Sequence, residues 1–127
     1  MEPLIIEQTA KTPYVFIDSN EGVMEIKGMS ASENAPVFYK PVLDWLDTYG
    51  YDPKPVTMVN VQFKYFNTSS AKCILDVLER FANLNNSGIE VTVNWFYEKN
   101  DEEMFDAGEN FSQILEMPFN IQELAKN

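Results

Sequence analysis

Residues 56–66, VTMVNVQFKYF, alternate apolar and polar side chains, and a helical pattern begins almost immediately behind them. A period of two puts Val59, Val61, Phe63 and Tyr65 on one side and Asn60, Gln62 and Lys64 on the other. From Ser69 the spacing changes. Cys73, Ile74, Val77, Leu78 and Phe81 form the stripe of an amphipathic helix, closed by NNSG with Gly88 as a left-handed cap. A second alternating segment, IEVTVNWFY (89–97), sets Val91, Val93, Trp95 and Tyr97 against Thr92 and Asn94. Strand, helix, strand in this order requires a crossover between parallel neighbours, right-handed in nearly all proteins. A sheet sandwiched between helix layers would read as unbroken apolar runs, and these strands do not. The expected fold is therefore two-layer α/β, a mixed sheet with helices mainly on one face and a wetter opposite face.

The rest of the chain fits that frame. LIIEQ (4–8), YVFID (14–18) and GVMEIKG (22–28) read as short strands, the last two joined by a Ser-Asn-Glu-Gly turn, an antiparallel start. In VFYKPVLDWLDTYG (37–50), Phe38, Val42, Trp45, Leu46 and Tyr49 recur at helical spacing and Gly50 supplies a stop. An interior proline costs a helix roughly 3 kcal/mol. The regular helix is therefore expected to start near Pro41, or to kink there after an irregular turn from Pro36. A third helix places Met104, Gly108, Phe111 and Leu115 in one stripe, with Asp101, Glu102 and Glu103 in its favoured acidic first turn. PFNIQELA reads as a short terminal strand or tail, and 127 residues suit one domain over 1–127.

Charge and composition narrow the chemistry. With 20 acidic and 9 basic residues and a net charge of −11, the chain has no basic stripe to neutralise phosphates, so neither nucleic acid nor an anionic membrane is an expected partner. Cys73 is the only cysteine and there is no histidine, which excludes an internal disulfide, Ser-His-Asp and Cys-His catalysis and a thiolate-rich metal site. No catalytic residue, cofactor or metal ligand is assigned, and an enzyme built on carboxylates is the weakest reading. Asp101, Glu102, Glu103, Asp106 and Glu109 lack the spacing of a calcium loop and read as a solvated helix face. Without a signal peptide or a long apolar run, the expected location is cytoplasmic.

Loops leaving the carboxyl ends of neighbouring parallel strands gather along one edge. If the strand ending at Gly28 adjoins the one ending at Phe66, then Ser30, Glu33 and Asn34 approach Asn67, Thr68, Ser69 and Ser70. Asn, Thr and Ser are preferred helix caps, and capping is their plainest use. A helix start also presents free N–H groups and partial positive charge, a natural seat for phosphate.

Four stretches carry a resemblance: GMSASENA (28–35), VFYKPVLDWL (37–46), YFNTSSAK (65–72) and DAGENF (106–111). In this order they resemble the SiaC family of bacterial biofilm-regulating phosphoproteins, itself similar to STAS-domain anti-sigma-factor antagonists. The resemblance implies a non-catalytic partner-switching regulator in c-di-GMP signalling. A Ser/Thr protein kinase would phosphorylate the second helix's start, a PP2C-type phosphatase would reverse it, and the unphosphorylated form would bind a diguanylate cyclase. The acceptor it implies is Thr68, with Asn67, Ser69 and Ser70 shaping the site and Ser30, Glu33 and Asn34 lining its rim. The family's first loop tends to read Ser-Tyr-Pro-Glu-Asn, whereas this chain has Ser30, Ala31, Ser32, Glu33 and Asn34, so the partner surface is expected to differ there. A phosphothreonine adds roughly −1.5 to −2 charges and is expected to act at the surface without refolding the domain. The alternative is a small-ligand-binding domain of the same architecture with that polar edge as its pocket.

Overall fold

The computed structural model describes residues 1–125. Strands β1 (Leu4–Ile6), β2 (Tyr14–Asp18) and β3 (Val23–Ser30) come first, followed by helix α1 (Ala35–Tyr49). Then strands and helices alternate: β4 (Val56–Phe66), α2 (Thr68–Asn86), β5 (Glu90–Tyr97), α3 (Glu102–Leu115) and β6 (Asn120–Glu123). The six strands lie in one sheet in sequence order, β1–β2–β3 antiparallel and β3–β4–β5–β6 parallel. The expected mixed sheet is what the chain forms.

One side of each strand enters a common core with the helices. Val15, Ile17, Met24, Ile26, Val59, Val61, Val93 and Trp95 pack against Tyr39, Val42 and Leu46 of α1, Ile74, Leu78 and Phe81 of α2 and Met104 and Phe111 of α3. The opposite face is wet and carries an amide ladder. Asn60, Asn94 and Asn120 occupy paired positions, with Asn94 Nδ2 donating to Asn60 Oδ1 at 2.9 Å and Asn120 Nδ2 to Asn94 Oδ1 at 3.1 Å.

Local sequence explains most boundaries, with two departures. Helix α1 starts at Ala35 and carries Pro41 inside it, six residues earlier than a start at Pro41 would give. Proline deprives the carbonyl four residues back of its donor, here that of Val37, and both residues are exposed, so water can serve that oxygen. The second departure is Tyr65, expected inward but 50 % exposed. Between β3 and β4 the register shifts from Gly28↔Phe63 to Met29↔Tyr65, so Lys64 is an extra residue in β4. This bulge turns Tyr65 outward and lets Phe66 pack on Phe63 and Phe111.

Helix α3 is seated by a close approach. A Cβ on Gly108 would lie 2.6–2.9 Å from the Trp95 ring, and Trp95 Nε1 donates to the Met104 carbonyl at 2.9 Å. Only glycine lets the helix lie flat on that indole. Gly88, at φ +105°, turns the chain after α2, as the NNSG signal predicts.

Candidate functional site

The parallel pairing of β3 with β4 sets Ser30 beside Phe66, so the β3–α1 and β4–α2 loops leave the sheet side by side. Asn67 joins them. Its backbone N–H donates to the Ser30 carbonyl at 3.0 Å and its Nδ2 to the Ser32 carbonyl at 3.1 Å. Its Oδ1 meanwhile accepts from the Ser70 amide at 2.8 Å, capping α2. One amide side chain thus starts a helix and ties down the neighbouring loop, using both its donor and its acceptor.

Below this clasp lies a file of buried hydroxyls. Ser30 Oγ donates to Ser70 Oγ at 2.8 Å, and Tyr39 OH stands 2.7 Å from Ser30 Oγ, placed to donate into it. Ser70 is 0 % and Ser30 2 % exposed. Burial pushes the Tyr39 phenol far above its ordinary ionisation range, against the opposing effect of the Ser30 hydrogen bond. This file bonds β3, α1 and α2 at one point.

The residues singled out from sequence therefore divide by depth. Ser30, Asn67 and Ser70 come together in the clasp, and Ser30 and Ser70 spend their hydroxyls on each other. They have little to offer a ligand. Thr68 and Ser69, the first two residues of α2, are exposed at its start, and the cap leaves their amides without an intrahelical acceptor. Glu33 and Asn34 lie exposed on the adjoining loop and make no hydrogen bond to residues 67–70. Asn34 instead precedes α1 without capping it through its side chain.

Thr68 and Ser69 also border a groove between α1 and α2, about 660 Å³ in volume, lined as well by Lys40, Leu43, Lys72 and Cys73. Burial and the charge of Asp76 push the Cys73 thiol up, which favours its neutral form. Sequence reasoning missed Tyr39, which its helical period marks only as core, and the two lysines. Lys72 could have been found, because it stands four residues after Thr68 on one helix face.

These features define a two-layer α/β domain whose exposed hydroxyls stand at a strand-to-helix junction clasped to the loop beside it. The family model described as SiaC family regulatory phosphoprotein matches residues 6–124. The chain belongs to the SiaC family. An uncharacterized protein of Pseudomonas aeruginosa strain UCBPP-PA14 is 29 % identical over 122 residues, covering 96 % of this chain and 97 % of its own. Among solved structures, SiaC of Pseudomonas aeruginosa superposes with a TM-score of 0.88 at 28 % identity, covering 98 % of this chain and 100 % of that one. SiaC in a crystal complex with the diguanylate cyclase SiaD, described as its activator, gives a TM-score of 0.88 at 28 % identity, covering 95 % and 99 % of the two chains.

Proposed function

We propose that this chain is a non-catalytic, partner-switching regulator whose switch is the phosphorylation of Thr68. A Ser/Thr protein kinase transfers the γ-phosphoryl group of ATP to Thr68 Oγ1, the hydroxyl proton departs and ADP is released. A PP2C-type phosphatase hydrolyses the ester. The unphosphorylated form binds a diguanylate cyclase, the class of enzyme that the related SiaC activates. The observation that carries this reading is the contrast in depth within one short motif. Thr68 is exposed at the start of α2, whereas Ser70, two residues on, is sealed at 0 % exposure. A kinase can reach the first hydroxyl and not the second. The clasp through Asn67 holds the helix start rigid, so the phosphate changes a surface and leaves the sheet in place.

Incubation with the cognate kinase, ATP and magnesium is expected to raise the intact mass by one phosphate in the wild type and to leave Thr68→Ala unchanged. The modified protein should lose its grip on the cyclase in a pull-down. A phosphate on Thr68→Ala, or equal cyclase binding by both forms, would sink the reading.

A further inference from the structure

This inference deepens the proposed switch at Thr68 and rests on that reading. In a chain of net charge −11 with only 9 basic residues, three of them, Lys40, Lys72 and Arg80, line the groove that Thr68 borders. On α2, Thr68, Lys72, Asp76 and Arg80 follow one another at intervals of four and share a face. The opposite wall, on α1, presents Lys40, Asp44 and Asp47. Both helices leave the carboxyl end of a parallel strand, so their N-termini lie at the same end.

The Arg80–Asp47 ion pair, Nε to Oδ1 at 3.1 Å, fixes how the two walls line up. Lys72 precedes Arg80 by eight residues and Lys40 precedes Asp47 by seven. At 1.5 Å per residue these are roughly 12 and 10 Å along their axes. The backbones of Lys72 and Lys40 therefore stand at similar heights on the two walls, with Lys72 one turn in from Thr68. An anion held at the mouth of the groove would attract a lysine from each wall.

Their existing commitments differ. Lys40 pairs with Asp44 at 2.8 Å and Arg80 with Asp47, whereas Lys72 takes part in none of the ion pairs among the described residues. The Lys40–Asp44 pair is 73 % and 62 % exposed on its two sides, so it is weak and exchangeable. Helix side chains leave the backbone tilted toward the N-terminus, and this puts the turn that holds Thr68 within reach of Lys72, which lines the same groove.

We infer that the α1–α2 groove is the receptor for the phosphate on Thr68, with Lys72 as its principal partner and Lys40 as the second, released from Asp44. The phosphate folds onto the groove mouth instead of projecting from the rim. The surface that reports the switch is then the α1–α2 face, and a partner senses the engagement of Lys72 and Lys40 there as much as the gain of a dianion.

The test titrates phosphothreonine introduced at position 68 during translation, followed by phosphorus NMR against pH. An unpaired phosphothreonine has its second pKa at about 6. The wild-type background is expected to titrate about one unit lower. Lys72→Gln should recover more than half of that shift, Lys40→Gln less, and Lys72→Arg should keep it. Lys72 is exposed, so these variants are expected to fold as the parent does. Titration near 6 in the wild-type background, or superimposable curves for wild type and Lys72→Gln, overturns the inference. Because the phosphate is installed without a kinase, failure of the kinase to label Thr68 sinks the regulatory reading alone, and the titration decides the groove.

Discussion

Two strand-to-helix junctions in this molecule use the same cap and come to opposite electrostatic ends. At the start of α2, Asn67 Oδ1 accepts from the Ser70 amide at 2.8 Å, and at the start of α3, Asp101 Oδ1 accepts from the Met104 amide at 3.0 Å. The α3 junction adds Glu102 and Glu103 in its first turn, whereas the first turn of α2 holds no acid. The positive end of α3 is therefore answered by its own side chains, and that of α2 has no acid in its first turn to answer it. The cap residues differ in the same sense. Asn67 carries a donor that reaches the Ser32 carbonyl, which no carboxylate could do.

Three experiments set the junctions apart. The largest effect is expected at Gly108→Ala, where a methyl group would press on the rigid, buried Trp95 indole. The roughly 1 kcal/mol that alanine gains over glycine in a helix should be outweighed, for a net loss of about 1–2 kcal/mol in urea unfolding. Amide exchange should rise along α3 and stay unchanged at residues 67–70. An undiminished midpoint would mean that close packing is not what seats α3.

Alkaline pH should single out the α2 junction. Unfolded tyrosine ionises at about 10, and burial holds the Tyr39 phenol above that in the folded state. Its contribution is then complete below pH ~10 and falls by about 1.4 kcal/mol per pH unit above it, until the folded phenol itself ionises. In Tyr39→Phe that part of the alkaline decline should vanish. Parallel stability curves for the two proteins between pH 9 and 11 would show that the hydroxyl file tolerates charge.

The smallest effect is expected from exchanging the caps. Asn67→Asp and Asp101→Asn each keep the capping oxygen, so each should alter stability by less than about 1 kcal/mol. They should part company in hydrogen exchange, since only Asn67→Asp frees the Ser32 carbonyl and loosens loop 31–34. Equal protection of that loop in both variants would remove the clasp from the account.

How much of this was legible beforehand depends on the range of the force involved. The period-two runs of β4 and β5 and the stripes of α2 and α3 record burial on one face, and they gave element order and the two-layer plan. The neighbouring edge loops followed from parallel pairing. The Lys64 bulge was not legible, because one inserted residue leaves no mark in an alternating pattern and becomes visible only against the partner strand. Pro41 misled for a related reason. Its cost depends on whether the orphaned carbonyl meets water, and solvent exposure is a property of the fold. At the site, Asn67 and Thr68 stood out by type, but Tyr39 was hidden within a helical stripe and became part of the hydroxyl file only through Ser30.

The row of carboxamides on the open face has one further consequence. Alternating apolar and polar residues cannot tell a correct alignment from a slip of two positions, since every side chain keeps its face. Such a slip of β5 along β4 would bring Asn60 opposite Thr92 or Phe96 in place of Asn94. Matching amides act as a vernier, detecting the error to which the hydrophobic code is blind.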